Sequence, residues 1–266
     1  MSKRISKKKK ADQKGKLLLG VGLVLVLIFG YGSFKLNESV VERNPTTLCR
    51  QDGHIAKETA VIIDSTDSFS QTQAILVKKE MKALLEEAVV DERVTLYVLG
   101  EEIGDDVDRL SVCNPGDGSE KSELFSNKRR LREQWEVSFY QRVVNAVDDL
   151  IGEHQAERSP ILEMLKLVSV QTMYKSPAPE KQIIIVSDML HHTQSYSHYR
   201  KNANYQSFQE TAYSLEQRPY LSGVELNILY LVRPRDMNLQ NRGHIKFWES
   251  LVTENGGYIS RVKTIN

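Results

Sequence analysis

Mostly apolar runs of strand length alternate along this chain with patterns typical of amphipathic helices. The runs lie at residues 60–64, 93–100, 181–187 and 224–232, and helical patterns lie at 70–89, 127–153, 159–174 and 242–257. A strand that is apolar on both faces must be covered on both faces, and helices between the strands can supply both layers. The sequence therefore predicts an α/β fold with a doubly wound, mostly parallel sheet, to which 109–113 and 258–262 add short strands.

Two of the apolar runs stop at an acid, Asp64 and Asp188. In open sheets of this kind, ligands bind outside the carboxyl ends of the strands, where the strand order reverses. Asp64, Thr66 and Ser68 alternate, so a loop leaving the strand can direct all three side chains at one point. The alternative is that Asp64 and Ser68 only cap the helix that follows.

Further oxygen ligands are available from two other segments. Ser159 precedes Pro160 as the expected N-cap of a helix, and Asp188 follows the third strand. Together with the first loop they would form a small set of hard oxygens, which suits Mg²⁺ and, less easily, Mn²⁺ or Ca²⁺.

These motifs resemble the metal-ion-dependent adhesion site of von Willebrand factor type A (vWA) domains, whose pattern is Asp-x-Ser-x-Ser, then a Thr, then an Asp. The resemblance covers roughly residues 56–266 and rests on "DSTDS", "RSPILEML" and "IIIVSDM" in that order. It assigns Asp64, Thr66 and Ser68 to the first loop, Ser159 to the second and Asp188 to the third. Thr66 and Ser159 exchange one hydroxyl residue for another, and Asp67 is an additional acid.

The resemblance implies a Rossmann-like vWA fold with no catalytic role for the metal. In that family an acidic side chain of a partner protein completes the coordination of the cation. An enzyme of the haloacid dehalogenase type, such as a phosphatase, is the alternative, because its nucleophilic Asp also follows a first strand. That type requires a second Asp two residues later, where this chain has Thr66.

The segment from His191 to Ser207 is rich in His, Tyr, Ser and Asn and follows Asp188 closely. We expect a long polar loop on the rim of the site, with His191, His192 and Tyr196 as candidate partner contacts. Zinc bound by His191, His192 and His198 is the alternative.

The amino-terminal region is strongly basic and then strongly apolar. Residues 1–16 contain eight Lys or Arg and one Asp, about +7, which leaves about −6 of the total charge of +1 for the remainder and excludes a nucleic-acid surface there. Residues 17–34 are long enough to span a bilayer and predict a transmembrane anchor with a cytoplasmic amino terminus. We expect a basic tail (1–16), an anchor (17–34), a stalk (35–59) and a vWA-like domain (60–266) in the periplasm, held at a bacterial inner membrane.

The chain has two cysteines, Cys49 and Cys113, for which the exported setting predicts a disulfide. The sequence thus predicts a membrane-anchored, non-enzymatic binding or scaffold module that recognises a partner protein, with Mg²⁺ at its site. A metal-independent structural component of the envelope is the alternative.

Overall fold

The computed structural model describes residues 19–28, 30, 41–104, 108–121, 126–152, 156–201 and 203–266. The chain divides into two compact units, Met1–Glu42 and Arg43–Asn266. In the first, residues 19–28 are helical, and no helix among the described residues is long and apolar enough to cross a bilayer. The predicted basic tail lies outside the described residues and the predicted anchor lies partly outside them, so both stay predictions.

The second unit is built on a six-stranded sheet in the order β3-β2-β1-β4-β5-β6. Its strands are β1 (Lys57–Asp64), β2 (Glu92–Leu99), β3 (Asp108–Cys113), β4 (Glu180–Ser187), β5 (Val224–Leu231) and β6 (Tyr258–Ile265). All neighbouring pairs are parallel except β2 and β3, which are antiparallel. The chain winds outward from β1 in one direction and from β4 in the other, which confirms the predicted fold class.

Helices cover both faces of this sheet. They are α1 (Gln71–Glu87), α2 (Lys128–Trp135), α3 (Gln141–Leu150), α4 (Ile161–Val168), α5 (His198–Lys201), α6 (Tyr205–Gln209), α7 (Ala212–Glu216) and α8 (Arg242–Glu254), with π-helical turns at Glu136–Tyr140 and Ser169–Met173. Alternate residues of β1 enter opposite cores: Ala60 and Ile62 pack with α4 and α8, whereas Val61 and Ile63 pack with α1, α2 and α3. This two-residue alternation explains why the strand is apolar from Ala60 to Ile63.

Strand β1 begins earlier than its apolar run because two polar residues are buried at its start. Glu58 and Thr59 are fully buried. Arg93 pairs with Glu58, and the Thr59 hydroxyl donates to Glu92 over 2.6 Å. The partners lie on β2, so a reading of local hydropathy could not place these residues in a strand.

The segment predicted as a stalk packs onto the compact unit from Arg43 onward. Cys49 and Cys113 form a disulfide, which confirms that prediction. The Cys113 amide donates to the Thr47 carbonyl oxygen, and Arg43 pairs with Asp91 at 2.6 Å. These contacts hold the incoming chain beside the amino ends of the strands, opposite the site described below.

Candidate cation site at the carboxyl end of the sheet

The Asp64 carboxylate lies at the end of β1 and collects donors from three segments. Its Oδ1 accepts from the Thr66 amide (3.0 Å) and the Thr66 hydroxyl (2.5 Å). Its Oδ2 accepts from the Ser187 hydroxyl (2.6 Å) and the Ser159 hydroxyl (3.4 Å). Asp64 is only 3% exposed, so these donors replace the water that would otherwise solvate its carboxylate.

Ser159 reaches Asp64 because its backbone is extended rather than helical. Its amide donates to the His192 carbonyl (2.8 Å), and the His192 amide donates back to the Ser159 carbonyl (2.9 Å). Helix α4 therefore starts at Ile161 with Pro160 at the N-cap position. The prediction that Ser159 caps this helix is wrong: its hydroxyl points to the carboxylate instead.

Asp188, directly after β4, also has two donors from the chain. Oδ1 accepts from the Leu190 amide (2.8 Å), and Oδ2 accepts from Arg233 Nε (3.0 Å). The Arg233 guanidinium also donates through Nη1 to the Ser68 carbonyl oxygen (2.6 Å). Arg233 thus joins the loop after β1 to the loop after β4.

Burial and like charge act together on the two acids. Burial raises the pKa of Asp64, and the hydrogen bonds from Ser187 and Thr66 oppose that rise. Burial also raises the pKa of Asp188, with a further rise from the Asp64 charge and an opposing effect of Arg233. Two adjacent buried carboxylates therefore favour an added positive charge, whether a proton or a cation.

The loop after β4 is held in a restrained conformation. Met189 has φ 62°, a left-handed conformation that is uncommon for a residue with a side chain. Its carbonyl oxygen lies 2.9 Å from His244 Nε2 and accepts from Trp248 Nε1 at 3.1 Å, and both of those side chains belong to α8. The core thereby fixes the direction in which Asp188 leaves the sheet.

Of the five predicted ligands, four lie at this end of the sheet with buried side chains: Asp64, Thr66, Ser159 and Asp188. Ser68 is exposed and contributes its carbonyl oxygen to Arg233. Sequence reasoning missed Ser187 and Arg233. Both lie at strand ends, Ser187 as the last residue of β4 and Arg233 two residues after β5, so the strand-end rule could have found them.

Most of the side chains that could offer an oxygen to a hard cation at this site carry hydroxyl groups, and two carry carboxylates. Hydroxyls that donate their protons to Asp64 keep lone pairs free for a second contact. Among the described residues, no group of three or more His, Cys, Asp or Glu side chains could hold a metal ion. The site therefore offers two carboxylates and several hydroxyls, the kind of oxygen set that Mg²⁺ accepts while keeping some waters.

The prediction of a polar loop on the rim is wrong for three of the six His and Tyr residues between His191 and Ser207, because these three are buried. His191, Tyr196 and His198 are 0%, 5% and 1% exposed. Tyr196 packs against Phe208 and His198 against Phe247, and His191 stacks on Tyr196. Of the three candidate partner contacts, only His192 is partly exposed, since His191 and Tyr196 belong to the core. Stacking against other rings gives these polar side chains enough apolar contact to be buried.

Burial keeps this group of histidines neutral. It lowers the pKa of His191 to about 3, and it lowers that of His244 to about 4 against a smaller opposing effect of the Met189 carbonyl. The pKa of His198 is also well below its usual value because of burial and the neighbouring His244. The histidines therefore act as neutral hydrogen-bonding groups of the core.

No family model matches this sequence, and no curated protein matches it. Solved structures with a similar trace include the conserved hypothetical protein BatB from Bacteroides thetaiotaomicron, with 13% identity, a TM-score of 0.40 and coverage of 78% of this chain and 91% of that one. A von Willebrand factor type A protein from Catenulispora acidiphila has 11% identity, a TM-score of 0.40 and coverage of 79% and 39%. An aerotolerance-related membrane protein from Bacteroides fragilis NCTC 9343, with multiple mutations to serines, has 14% identity, a TM-score of 0.36 and coverage of 79% and 92%.

Proposed function

We propose that this chain is a vWA-type, non-enzymatic binding module that recognises a partner protein at the carboxyl end of its sheet. A divalent cation, Mg²⁺ in the first place, would be held there by Asp64, Thr66, Ser68, Ser159 and Asp188. The observation that carries this proposal is the convergence of hydroxyls from three segments on one buried carboxylate beside a second one.

The cation would provide a positive charge that two adjacent buried acids favour, and the chain would supply its fixed geometry. Thr66 and Ser159 are oriented by Asp64, and Asp188 is oriented by the Leu190 amide. Such a cation would bind a carboxylate group of the partner protein. On this proposal the hydroxyls of Thr66 and Ser187 hold the Asp64 carboxylate by hydrogen bonds and take no part in a reaction.

The rim beside the site has the mixed character of a contact surface. A polar cleft of about 290 Å³ is lined by residues of three segments: Glu101, Glu157, Arg158, His192, Thr193, Gln194 and Arg200. Tyr199, 42% exposed, packs edge-on against His192. We propose His192 and Tyr199 as the partner contacts that the buried His191 and Tyr196 do not provide.

Calorimetric titration of the full-length chain with Mg²⁺ and Mn²⁺ tests the cation. We expect saturable binding in the native protein and its loss in Asp64→Asn and Asp188→Asn, which keep the side-chain shape and remove the charge. Asp148→Asn, an exposed acid of α3 that pairs with Lys78, is the matched control and should bind normally. Equal binding by the native protein and the two site variants would place any cation elsewhere.

On this proposal one coordination position of the cation is left for the partner carboxylate, and this can be tested separately. Water-proton relaxation by bound Mn²⁺ is high while water occupies that position, and it should fall when a synthetic Glu-containing peptide displaces the water. The same peptide with Gln in place of Glu should leave the relaxation unchanged. A response to neither peptide would remove the carboxylate-recognition part of the proposal.

A second candidate is a metal-independent scaffold. It is favoured by the donors that already satisfy Asp64 and Asp188 within the chain. On this reading the acids only fix the loops, and chelation of divalent cations changes neither the stability nor the partner binding. The calorimetry above separates the two candidates.

The predicted setting is a periplasmic domain on a single inner-membrane anchor. Protease accessibility in intact bacterial cells and in spheroplasts tests it. We expect cleavage of Arg43–Asn266 only after the outer membrane is opened, with a cytoplasmic protein as the control for lysis.

A further inference from the structure

Arg233 places a guanidinium inside the proposed ligand set. Its Nε lies 3.0 Å from Asp188 Oδ2, and its Nη1 lies 2.6 Å from the Ser68 carbonyl oxygen. Asp188 and Ser68 are the residues assigned to the third and first loops of the site. A cation that belongs to the chain therefore already neutralises one of the two acids.

The Arg233 contact and a divalent cation compete for the same carboxylate. Asp188 Oδ1 accepts from the Leu190 amide, so Oδ2 is the oxygen that a cation would bind. Arg233 donates to that same Oδ2. A guanidinium at hydrogen-bond distance from that oxygen would also repel a divalent ion strongly, because the acid is buried and poorly screened.

Arg233 is placed so that it can leave. Its side chain is 15% exposed, whereas that of Asp188 is 4% exposed. If the long Arg233 side chain rotated into solvent, water would solvate its charge. The incoming cation would then neutralise Asp188 in its place. Loss of the hydrogen bond from Arg233 would also release the Ser68 carbonyl, and with it the loop after β1. Ser68 is the one predicted ligand whose residue is exposed.

We propose that Arg233 is a built-in competitor for the cation site: it occupies Asp188 when divalent cations are scarce and is displaced when one binds. This inference rests on the proposed function and adds its regulation. The competition sets a threshold concentration of cation below which the acidic partner is not recognised. Displacement also makes a second positive group available at the rim for an acidic partner.

Calorimetric titration of full-length Arg233→Gln with Mg²⁺ and Mn²⁺, beside the native protein, is the test. We expect the variant to bind at least about tenfold more tightly, because a positive charge next to the ion has been removed. Arg235→Gln removes an exposed charge from the same loop and should stay within about twofold of the native affinity, since solvent and salt screen it. Arg233→Lys keeps the charge and should resemble the native protein more than Arg233→Gln does.

A measurement on the native protein makes the test independent of whether a variant folds. The Nε–H proton of Arg233, assigned by its absence from the NMR spectrum of the lysine variant, should be protected from exchange without divalent cation and lose that protection as Mg²⁺ is added. A protected signal that persists at saturating Mg²⁺ would overturn displacement.

The outcomes separate this inference from the function on which it rests. Equal affinities of the native and Arg233→Gln proteins overturn the competition and leave the cation site standing. Cation binding by Arg233→Gln but not by the native protein supports the competition. It would mean that Arg233 stays bonded to Asp188 in the native protein at the cation concentrations used. Binding by neither protein overturns both proposals.

Discussion

Arg93 forms a forked ion pair with Glu58, its register partner on the neighbouring parallel strand. Arg93 Nε lies 2.9 Å from Oε1 and Nη2 lies 2.6 Å from Oε2, and the Ser176 hydroxyl also donates to Oε2 at 2.7 Å. Glu58 is fully buried, so a charged group has been placed in the core near the amino end of the sheet. The pair fixes the register of β1 against β2 in a way that apolar packing alone would not.

Removal of Arg93 should therefore be costly. We expect Arg93→Ala to lower the free energy of unfolding by about 3 kcal/mol, because a buried carboxylate loses its counter-ion. Urea denaturation monitored by circular dichroism measures the change. Arg129→Ala is the control, since Arg129 and its partner Glu133 are both exposed, and it should cost less than about 0.5 kcal/mol. Similar costs for the two variants would contradict this reading of Glu58.

The disulfide should make a large contribution to stability. Cys49 and Cys113 are 64 residues apart, and closing a loop of that length restricts the unfolded chain by about 4 kcal/mol on the chain-entropy model. We expect Cys49→Ser/Cys113→Ser to lose roughly that amount in chemical denaturation. Dithiothreitol should destabilise the native protein to the same extent and leave the double variant unchanged. A native protein indifferent to reductant would show that the bond contributes little.

The neutral histidines should make the protein sensitive to acid. Their pKa values are lowered in the folded state, so below about pH 6.5 the unfolded chain binds protons that the folded chain does not. The free energy of unfolding therefore decreases as the pH is lowered. Asp64 and Asp188, with raised pKa values, contribute with the opposite sign. The effect of one histidine is therefore measured as the difference between the native protein and a variant.

His244→Gln keeps a polar side chain and removes one of these titrating groups. Between pH 6 and 5 its stability should fall less steeply than that of the native protein, by about 1 kcal/mol per pH unit. Urea denaturation at both pH values measures the two slopes. His54→Gln changes an exposed histidine and should keep the native slope. Parallel curves for all three proteins would mean that His244 is protonated in the folded state.

A capping box at the start of α1 connects the loop after β1 to the far strands. Ser70 Oγ accepts from the Gln73 amide, and Gln73 Oε1 accepts from the Ser70 amide, each at 3.1 Å. Gln73 Nε2 also donates to the carbonyl oxygens of Val232 (2.9 Å) and Ile265 (3.3 Å). One side chain thus satisfies backbone groups in three segments.

Gln73→Ala should consequently cost more than Ser70→Ala. We expect about 1 kcal/mol for the lost serine cap and about 2 kcal/mol for the glutamine, because its loss also removes a donor from the Val232 carbonyl and one of the two donors to the Ile265 carbonyl. Thermal unfolding of both variants measures the order. Ser70→Asp retains a capping oxygen and should be close to native. A larger loss in Ser70→Ala would show that the bonds to Val232 and Ile265 contribute little.

The parts of the fold that local pattern determines were predictable. The strands of β1, β4 and β5 are apolar because helices cover both faces, and this pattern is visible in any window of the sequence. The meeting of Asp64 with Asp188 followed from a general rule about strand ends. The start of β1 was missed because Glu58 and Thr59 become core residues only through partners on another strand.

The histidine segment and Arg233 show where residue type misleads. His191 and Tyr196 were expected at the surface because they are polar, but ring stacking and neutral imidazoles allow their burial. Arg233 follows β5 and was not assigned a role, since its importance depends on Asp188, which is 45 residues earlier in the chain. Such long-range polar pairs leave no periodic signal in a single sequence.

The chain enters the compact unit beside the amino ends of the strands, while the two acids lie at the carboxyl ends. Strands of eight residues separate these points by about 26 Å. A pull applied between Arg43 and a partner bound at Asp64, as proposed above, would therefore run along the strands and load the hydrogen bonds between them in shear. The covalent link between Cys49 and Cys113 would pass part of that load to β3, so several strands would share it.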